Sequence, residues 1–143
     1  MPDFYKKIIS FYDSITDQQP ERFVGLVKNY LKKHKVITIL DIGCGTGTLE
    51  ALLAENNFRV IGLDNSEVML KEAEKKIKEK KIGNIAFRKG NMVDFSLKDK
   101  VDIITCSDAI NHILDQNALL RCFENCYKNL NENGAFIFNT QTE

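Results

Sequence analysis

Ile39-Leu40-Asp41-Ile42-Gly43-Cys44-Gly45-Thr46-Gly47 is the stretch on which the reading of this chain turns. The run that leads into it, Val36–Asp41, is short, apolar and β-branched, and reads as a buried strand. Glycines at alternate positions then free the backbone from Cβ restrictions, so the chain can turn tightly and approach a ligand closely. Leu49, Leu52 and Leu53 follow at helical spacing, with Asn56-Asn57 as a stop. Strand, glycine turn and helix together make the first unit of an alternating α/β fold.

The alternation continues downstream. Phe58–Leu63 reads as a second strand, and Asp64-Asn65-Ser66 offers caps for a helix from Ser66 to Lys80 with Met69, Ala73 and Ile77 as its apolar seam. Ile85–Arg88 and Val101–Cys106 read as the third and fourth strands. Leu119, Leu120, Phe123, Tyr127 and Leu130 mark another amphipathic helix, which Asn133-Gly134 is expected to end before a fifth strand at Ala135–Asn139. Upstream, Phe4, Ile8, Phe11, Tyr12 and Ile15 form one helical stripe. A second stripe, Phe23, Val24, Val27, Tyr30 and Leu31, starts at Pro20 and runs to about His34. Such alternation implies a parallel sheet with right-handed crossovers, helices on both faces and a ligand beyond the carboxyl ends of the strands. The polar residues at those ends are Asp41-Ile42-Gly43, Asp64, Gly90-Asn91 and Cys106-Ser107-Asp108.

Composition sets the outer limits. With 143 residues the chain is expected to form one domain, and 20 Lys+Arg against 20 Asp+Glu leave a net charge of zero. That balance removes the electrostatic footprint of a nucleic-acid binder. No apolar run approaches the roughly 18 residues that span a bilayer, so no membrane partner is expected. Met1–Ser10 lacks the apolar core of a signal peptide. Cys44, Cys106, Cys122 and Cys126 form no C-x-x-C pair and no zinc spacing, so the expectation is a cytoplasmic protein with reduced thiols and no metal.

The glycine turn admits two ligands. A dinucleotide fingerprint wants its third glycine at position 48, where this chain has Thr48, its own third glycine being Gly47. A pyrophosphate over the turn would also face the Asp41 carboxylate, with no compensating lysine or arginine nearby in the sequence. S-adenosylmethionine carries an ammonium and a sulfonium and no phosphate, so Asp41 suits it. A P-loop is excluded, since no G-K-[ST] follows.

Ile39–Gly47 resembles the first motif of the class I S-adenosylmethionine-dependent methyltransferases, and Asp64 stands at that family's distance for the acid that holds the ribose. Gly90-Asn91-Met92-Val93-Asp94-Phe95 is similar to the family's adenine-binding turn. Asp102-Ile103-Ile104-Thr105-Cys106-Ser107-Asp108 resembles its fourth motif, and Leu130–Ala135 its approach to the fifth strand. The resemblance runs from about Tyr12 to Asn139. It departs at Asn91, where the family often has Asp, and in lacking the helix and final strand pair that usually follow strand five.

The resemblance implies a three-layer, doubly wound, mostly parallel sheet of order 3-2-1-4-5 without the usual last two strands. Residues 1–34 would be N-terminal helices and residues 35–143 a Rossmann-like core, together a single domain. It implies methyl transfer from S-adenosylmethionine to a small-molecule acceptor by in-line displacement. Cofactor contacts are expected from Asp41, Gly43, Cys44, Gly45, Asp64, Asn65, Asn91, Met92, Cys106 and Ser107. Asp64 would hold the ribose hydroxyls, Asp41 the methionine ammonium, and Cys44 would contribute backbone. Tyr12 falls where relatives place a lid residue; an aromatic in an amphipathic stripe explains it equally well. No residue announces itself as catalytic, and His112 is the candidate base. Alternatives are a non-catalytic S-adenosylmethionine-binding module, an N-terminal fragment of a longer methyltransferase and, ranked last, an NAD-dependent oxidoreductase. The apolar fifth strand would leave an edge for a second copy, or for a missing C-terminal segment, to cover.

Overall fold

A computed structural model describes residues 20–54 and 57–140. Five strands, β1 (Thr38–Ile42), β2 (Arg59–Asp64), β3 (Ile85–Lys89), β4 (Val101–Cys106) and β5 (Leu130–Phe138), form one sheet of order β3-β2-β1-β4-β5. All four pairings are parallel. The helices are α1 (Pro20–Leu31), α2 (Thr48–Leu53), α3 (Glu67–Glu79) and α4 (Gln116–Asn129), with a 3₁₀ turn at Ile110–His112. No helix among the described residues is long and apolar enough to cross a membrane. The expected helix over Phe4–Ile15, and Tyr12 with it, lies outside the described residues.

Both faces of the sheet are apolar because side chains alternate along each strand and helices cover both sides. Ile39, Val60 and Ile103 point to the face covered by Phe23, Val24 and Val27 of α1 and by Leu49 and Leu53 of α2. Leu40, Ile42, Leu63, Ile104 and Cys106 point to the other face, under Cys122 and Cys126 of α4. Asp41 lies between Leu40 and Ile42 in β1, so its side chain leans to the face that α2 covers.

Local chemistry places the helix starts. Ser66 caps α3 by accepting from the Met69 amide at 3.3 Å, and Asp115 caps α4 by accepting from the Ala118 amide at 2.7 Å. Gly47, at φ +76°, opens α2. A Cβ on it would lie 2.9 Å from Phe87 Cζ and 3.0 Å from Ala73 Cβ, so glycine lets α2, α3 and β3 close on one another.

Two boundaries depart from expectation: α1 stops at Leu31, short of His34, and β5 starts at Leu130 instead of Ala135. Asn133-Gly134 does not stop the helix; α4 ends at Asn129 and the pair lies inside β5. Val101 pairs with Leu130, and Ile103 already with Ala135, so the residues between bulge out of the ladder. Asn133 there takes φ +64°, and a Cβ on Gly134 would meet the Asn131 and Asp102 carbonyl oxygens at 2.9 Å each. Asn-Gly marks a bulge as readily as a helix end. The outer side of β5 carries no further strand among the described residues. Phe123, Phe136 and Phe138 cluster beside it, with ring centroids 5.0–5.6 Å apart.

Candidate functional site

A cleft of about 1110 Å³ opens at the carboxyl ends of the strands, lined by the turns after β1, β2, β3 and β4. Its floor is the glycine turn. The Gly43 and Cys44 amides both donate to the Leu63 carbonyl, at 2.7 and 3.0 Å, which ties the turn to the end of β2. Gly43 sits at φ +73°, and a Cβ there would lie 2.3 Å from Ala109 Cβ and 3.4 Å from Met92 Cε. Only glycine keeps this floor open.

Asp64 ends β2 at the rim of the turn. Its Oδ2 accepts from the Gly45 amide and its Oδ1 from the Ser66 amide, each at 2.8 Å. Ser66 caps the following helix, so Asp64 is left to brace the turn and face the cleft. Each carboxylate oxygen still has a lone pair for a ligand hydroxyl.

Asp41 is 2 % exposed and accepts the Thr105 hydroxyl at 2.6 Å. The two residues are register partners on β1 and β4, which explains the contact. Glu50 of α2 adjoins Asp41 from above and is fully buried. Burial raises Asp41 to about 6 against the opposing influence of the neighbouring Glu50 carboxyl and the Thr105 hydroxyl, and nearby Asp64 adds to the rise. Burial, and then repulsion from Asp41, holds Glu50 well above the usual carboxylate range.

Cations do reach this region, contrary to the reading from sequence. Lys76 extends from α3 to donate to the Thr46 and Thr48 hydroxyls at 3.2 and 3.0 Å. Lys89 lines the cleft and pairs with Glu67 at 2.8 Å. The first is directed to threonine hydroxyls and the second to a carboxylate, so the floor itself remains acidic.

Of the residues expected to contact a cofactor, Asp41, Gly43, Cys44, Gly45, Asp64, Asn65, Asn91, Met92 and Ser107 line this one cleft, as does His112. The Asn91 side chain accepts from the Val93 amide at 3.0 Å, shaping its own turn. Burial pushes the Cys44 thiol well above its ordinary range, consistent with a backbone role. Cys106 is the exception. It is fully buried, lies on the α4 side of the sheet and does not line the cleft, and its carbonyl accepts from the Asn139 amide at 3.3 Å. Strand alternation, not position at the strand end, decided its direction.

Four contributors were not anticipated: Glu50, Thr105, Ala109 and Asn139. Asn139 accepts from the Asp108 amide at 2.6 Å and donates to the Asp108 carboxylate at 2.9 Å, locking the loop after β4 to the end of β5. Asp108 itself stands at φ +59°. His112 follows in the 3₁₀ turn, exposed on the rim.

Comparison with known proteins bears on this geometry. A family model described as a methyltransferase domain matches residues 33–142. A protein of Geobacillus sp. (strain WCH70) named as a methyltransferase is 30 % identical over 143 residues, which cover 96 % of this chain and 58 % of the relative. A ubiquinone biosynthesis O-methyltransferase of Idiomarina loihiensis is 28 % identical over 127 residues, covering 82 % and 47 %. The crystal structure of an S-adenosylmethionine-dependent methyltransferase from Clostridium acetobutylicum superposes with a TM-score of 0.81 at 27 % identity, covering 94 % of this chain and 56 % of that one. The chain thus spans about half the length of the relatives it matches.

Proposed function

We infer, from the fact that the chain belongs to the methyltransferase domain family, that its cleft binds S-adenosylmethionine and serves methyl transfer to a small-molecule acceptor. The observation that carries the reading is the acidic floor: Asp41 and Asp64 face a cleft kept open by Gly43. A ligand with a sulfonium, an ammonium and ribose hydroxyls suits that floor, and a pyrophosphate does not. Asp64 would accept the ribose hydroxyls, and Asp41 would face the ammonium. Asn91 and Met92 would bracket the adenine, while Gly43, Cys44 and Gly45 would offer backbone, with Asn65 and Ser107 at the margins.

When bound, the sulfonium supplies an activated methyl group that an acceptor nucleophile takes, leaving a neutral thioether. The protein's own part is proximity, alignment and exclusion of water, worth up to about 7–11 kcal/mol in well-oriented cases. No residue need exchange a proton with the methyl group. Where an acceptor must lose a proton, His112 on the rim is the candidate to take it.

A small-molecule acceptor is supported by the ubiquinone-pathway relative and by the chain's zero net charge. Buried free cysteines support a reducing, cytoplasmic setting. Residues 1–143 are read as one unit, with residues 1–34 as its N-terminal helical part. A specific observation favours a second reading, in which this chain binds the cofactor but does not transfer the methyl group unaided. Leu114 lines the cleft yet is 91 % exposed, so the described residues leave that part of the rim uncovered. The outer edge of β5, with Phe138 39 % exposed, would be covered by a second copy or by C-terminal chain. A monodisperse monomer in light scattering would argue against the second copy.

The test is calorimetric titration with S-adenosylhomocysteine on the wild type and on Asp64→Ala. Loss of charge-assisted hydrogen bonds should cost about 1.5–3 kcal/mol, a tenfold or greater weakening. A folded wild type that ignores S-adenosylhomocysteine, or that saturates with a nicotinamide dinucleotide at micromolar levels, overturns the reading. Product formed from a small acceptor then separates the transferase from the binding module.

A further inference from the structure

Glu50 has no assigned part in the site, yet it is among the most buried ionisable groups described, at 0 % exposure. Among the described residues, neither of its carboxyl oxygens accepts a hydrogen bond. The titratable groups that face it are Asp41 from β1, Asp64 from β2 and the Cys44 thiol from the turn. From α1 the same face receives Phe23, Val24 and Val27, and Lys76 of α3 donates to Thr46 and Thr48.

Two adjoining carboxyls do not both ionise where water is excluded, and no cation among the described residues is recorded against either of them. One proton therefore resides in the pair, and the surroundings say where. Asp41 has the Thr105 hydroxyl at 2.6 Å to stabilise a negative charge, whereas no side chain among the described residues donates to Glu50 in this way. A proton on Glu50 converts an orphaned buried acceptor into a donor and gives Asp41 a second hydrogen bond.

We propose that Glu50 is a positioning residue whose protonated carboxyl donates to Asp41 and, with Thr105, fixes the Asp41 carboxylate that the cleft floor presents to a cationic ligand group. Burial acts in the same direction, raising Glu50 well above its ordinary range. The shared proton also keeps the Asp41–Glu50 pair at one negative charge beneath the ligand's ammonium. The ligand named here rests on the proposed function; the proton does not.

Glu50→Gln and Glu50→Met test this. Gln keeps a donor without an ionisable group, and Met fills a similar volume without a donor. Infrared difference spectra of the ligand-free proteins at neutral pH should show a protonated-carboxyl stretch in the wild type that is missing from Glu50→Gln. In S-adenosylhomocysteine titrations, Glu50→Gln should stay within about threefold of the wild type, and Glu50→Met should bind about tenfold or more weakly. Glu50→Met should also move the acid limb of binding to higher pH, because Asp41 loses a bond that favours its charged form.

Absence of the infrared band in the wild type overturns the proposal. So does a Glu50→Gln loss as large as that of Glu50→Met, which would mean that charge on Glu50 matters. A Glu50→Met pH profile that superimposes on the wild type also overturns it, since Glu50 would then only fill space. If Glu50→Met does not fold, the band and the retained affinity of Glu50→Gln decide alone. A wild type that shows the band but binds no S-adenosylhomocysteine refutes the ligand and upholds the proton.

Discussion

Gly43→Ala attacks the floor of the cleft at the point where the structure leaves least room. The new Cβ would stand 2.3 Å from Ala109 Cβ, more than an ångström inside the roughly 3.5 Å at which carbon atoms rest. Residue 43 also sits at φ +73°, a left-handed conformation that costs a non-glycine residue about 1–2 kcal/mol. Overpacking adds about 1–3 kcal/mol, so the expected loss is about 2–5 kcal/mol. The two parts can be separated. Ala109→Gly removes the clashing atom and should cost about 0.5–1 kcal/mol by itself. The double variant should then recover the overpacking part and retain only the conformational part. Urea unfolding of the wild type, both single variants and the double variant, followed by far-ultraviolet circular dichroism, measures the cycle. A coupling energy of about 1–3 kcal/mol is expected. Strict additivity would refute the close approach of Gly43 and Ala109, and with it the reason this position is glycine.

Asp41→Asn should flatten the acid side of the stability curve. With its folded pKa raised to about 6, Asp41 takes up more protons folded than unfolded, so its contribution is full below about pH 4 and is lost as pH rises toward 6. The wild type should therefore lose on the order of 3 kcal/mol more than the variant across that window, read from urea midpoints at stepped pH. All four cysteines are buried, so Ellman's reagent should label none of them promptly in the native protein and all of them in denaturant; rapid native labelling of Cys44 would contradict its burial. Asn84 donates to the Ala54 and Phe58 carbonyls at 3.0 and 2.6 Å and braces the approach to β2. Asn84→Ala should lower the urea midpoint by the equivalent of about 1–3 kcal/mol without changing the slope.

Much of this architecture is written in local sequence. Short β-branched runs, helical stripes and alternating glycines are properties of neighbouring residues, and they sufficed for the strands and the glycine turn, because periodicity and allowed φ depend on adjacent atoms; the strand order and the place of Asp64 came from the family resemblance. Cap residues such as Ser66 and Asp115 belong to the same class, each bonding an amide three positions ahead. Local chemistry also explains the misread start of β5: Asn133-Gly134 permits a turn, but whether it ends a helix or bulges a strand depends on β4 alongside.

What the tertiary structure alone decided involves residues far apart in the chain. Cys106 lies at a strand end like the cleft residues, yet the register of β4 turns it into the core under Cys122. Thr105 reaches Asp41 only because β4 pairs beside β1 in a register that makes them partners across 64 positions. Glu50 belongs to a short helix with nothing nearby in sequence to mark it, and only the packing of α2 on the sheet shows that its carboxyl is sealed in against Asp41. Sequence neighbours determine how each segment bends and which of its faces is apolar. The distances between carboxyls, and hence where the proton rests, emerge only when the segments are packed together and water is excluded.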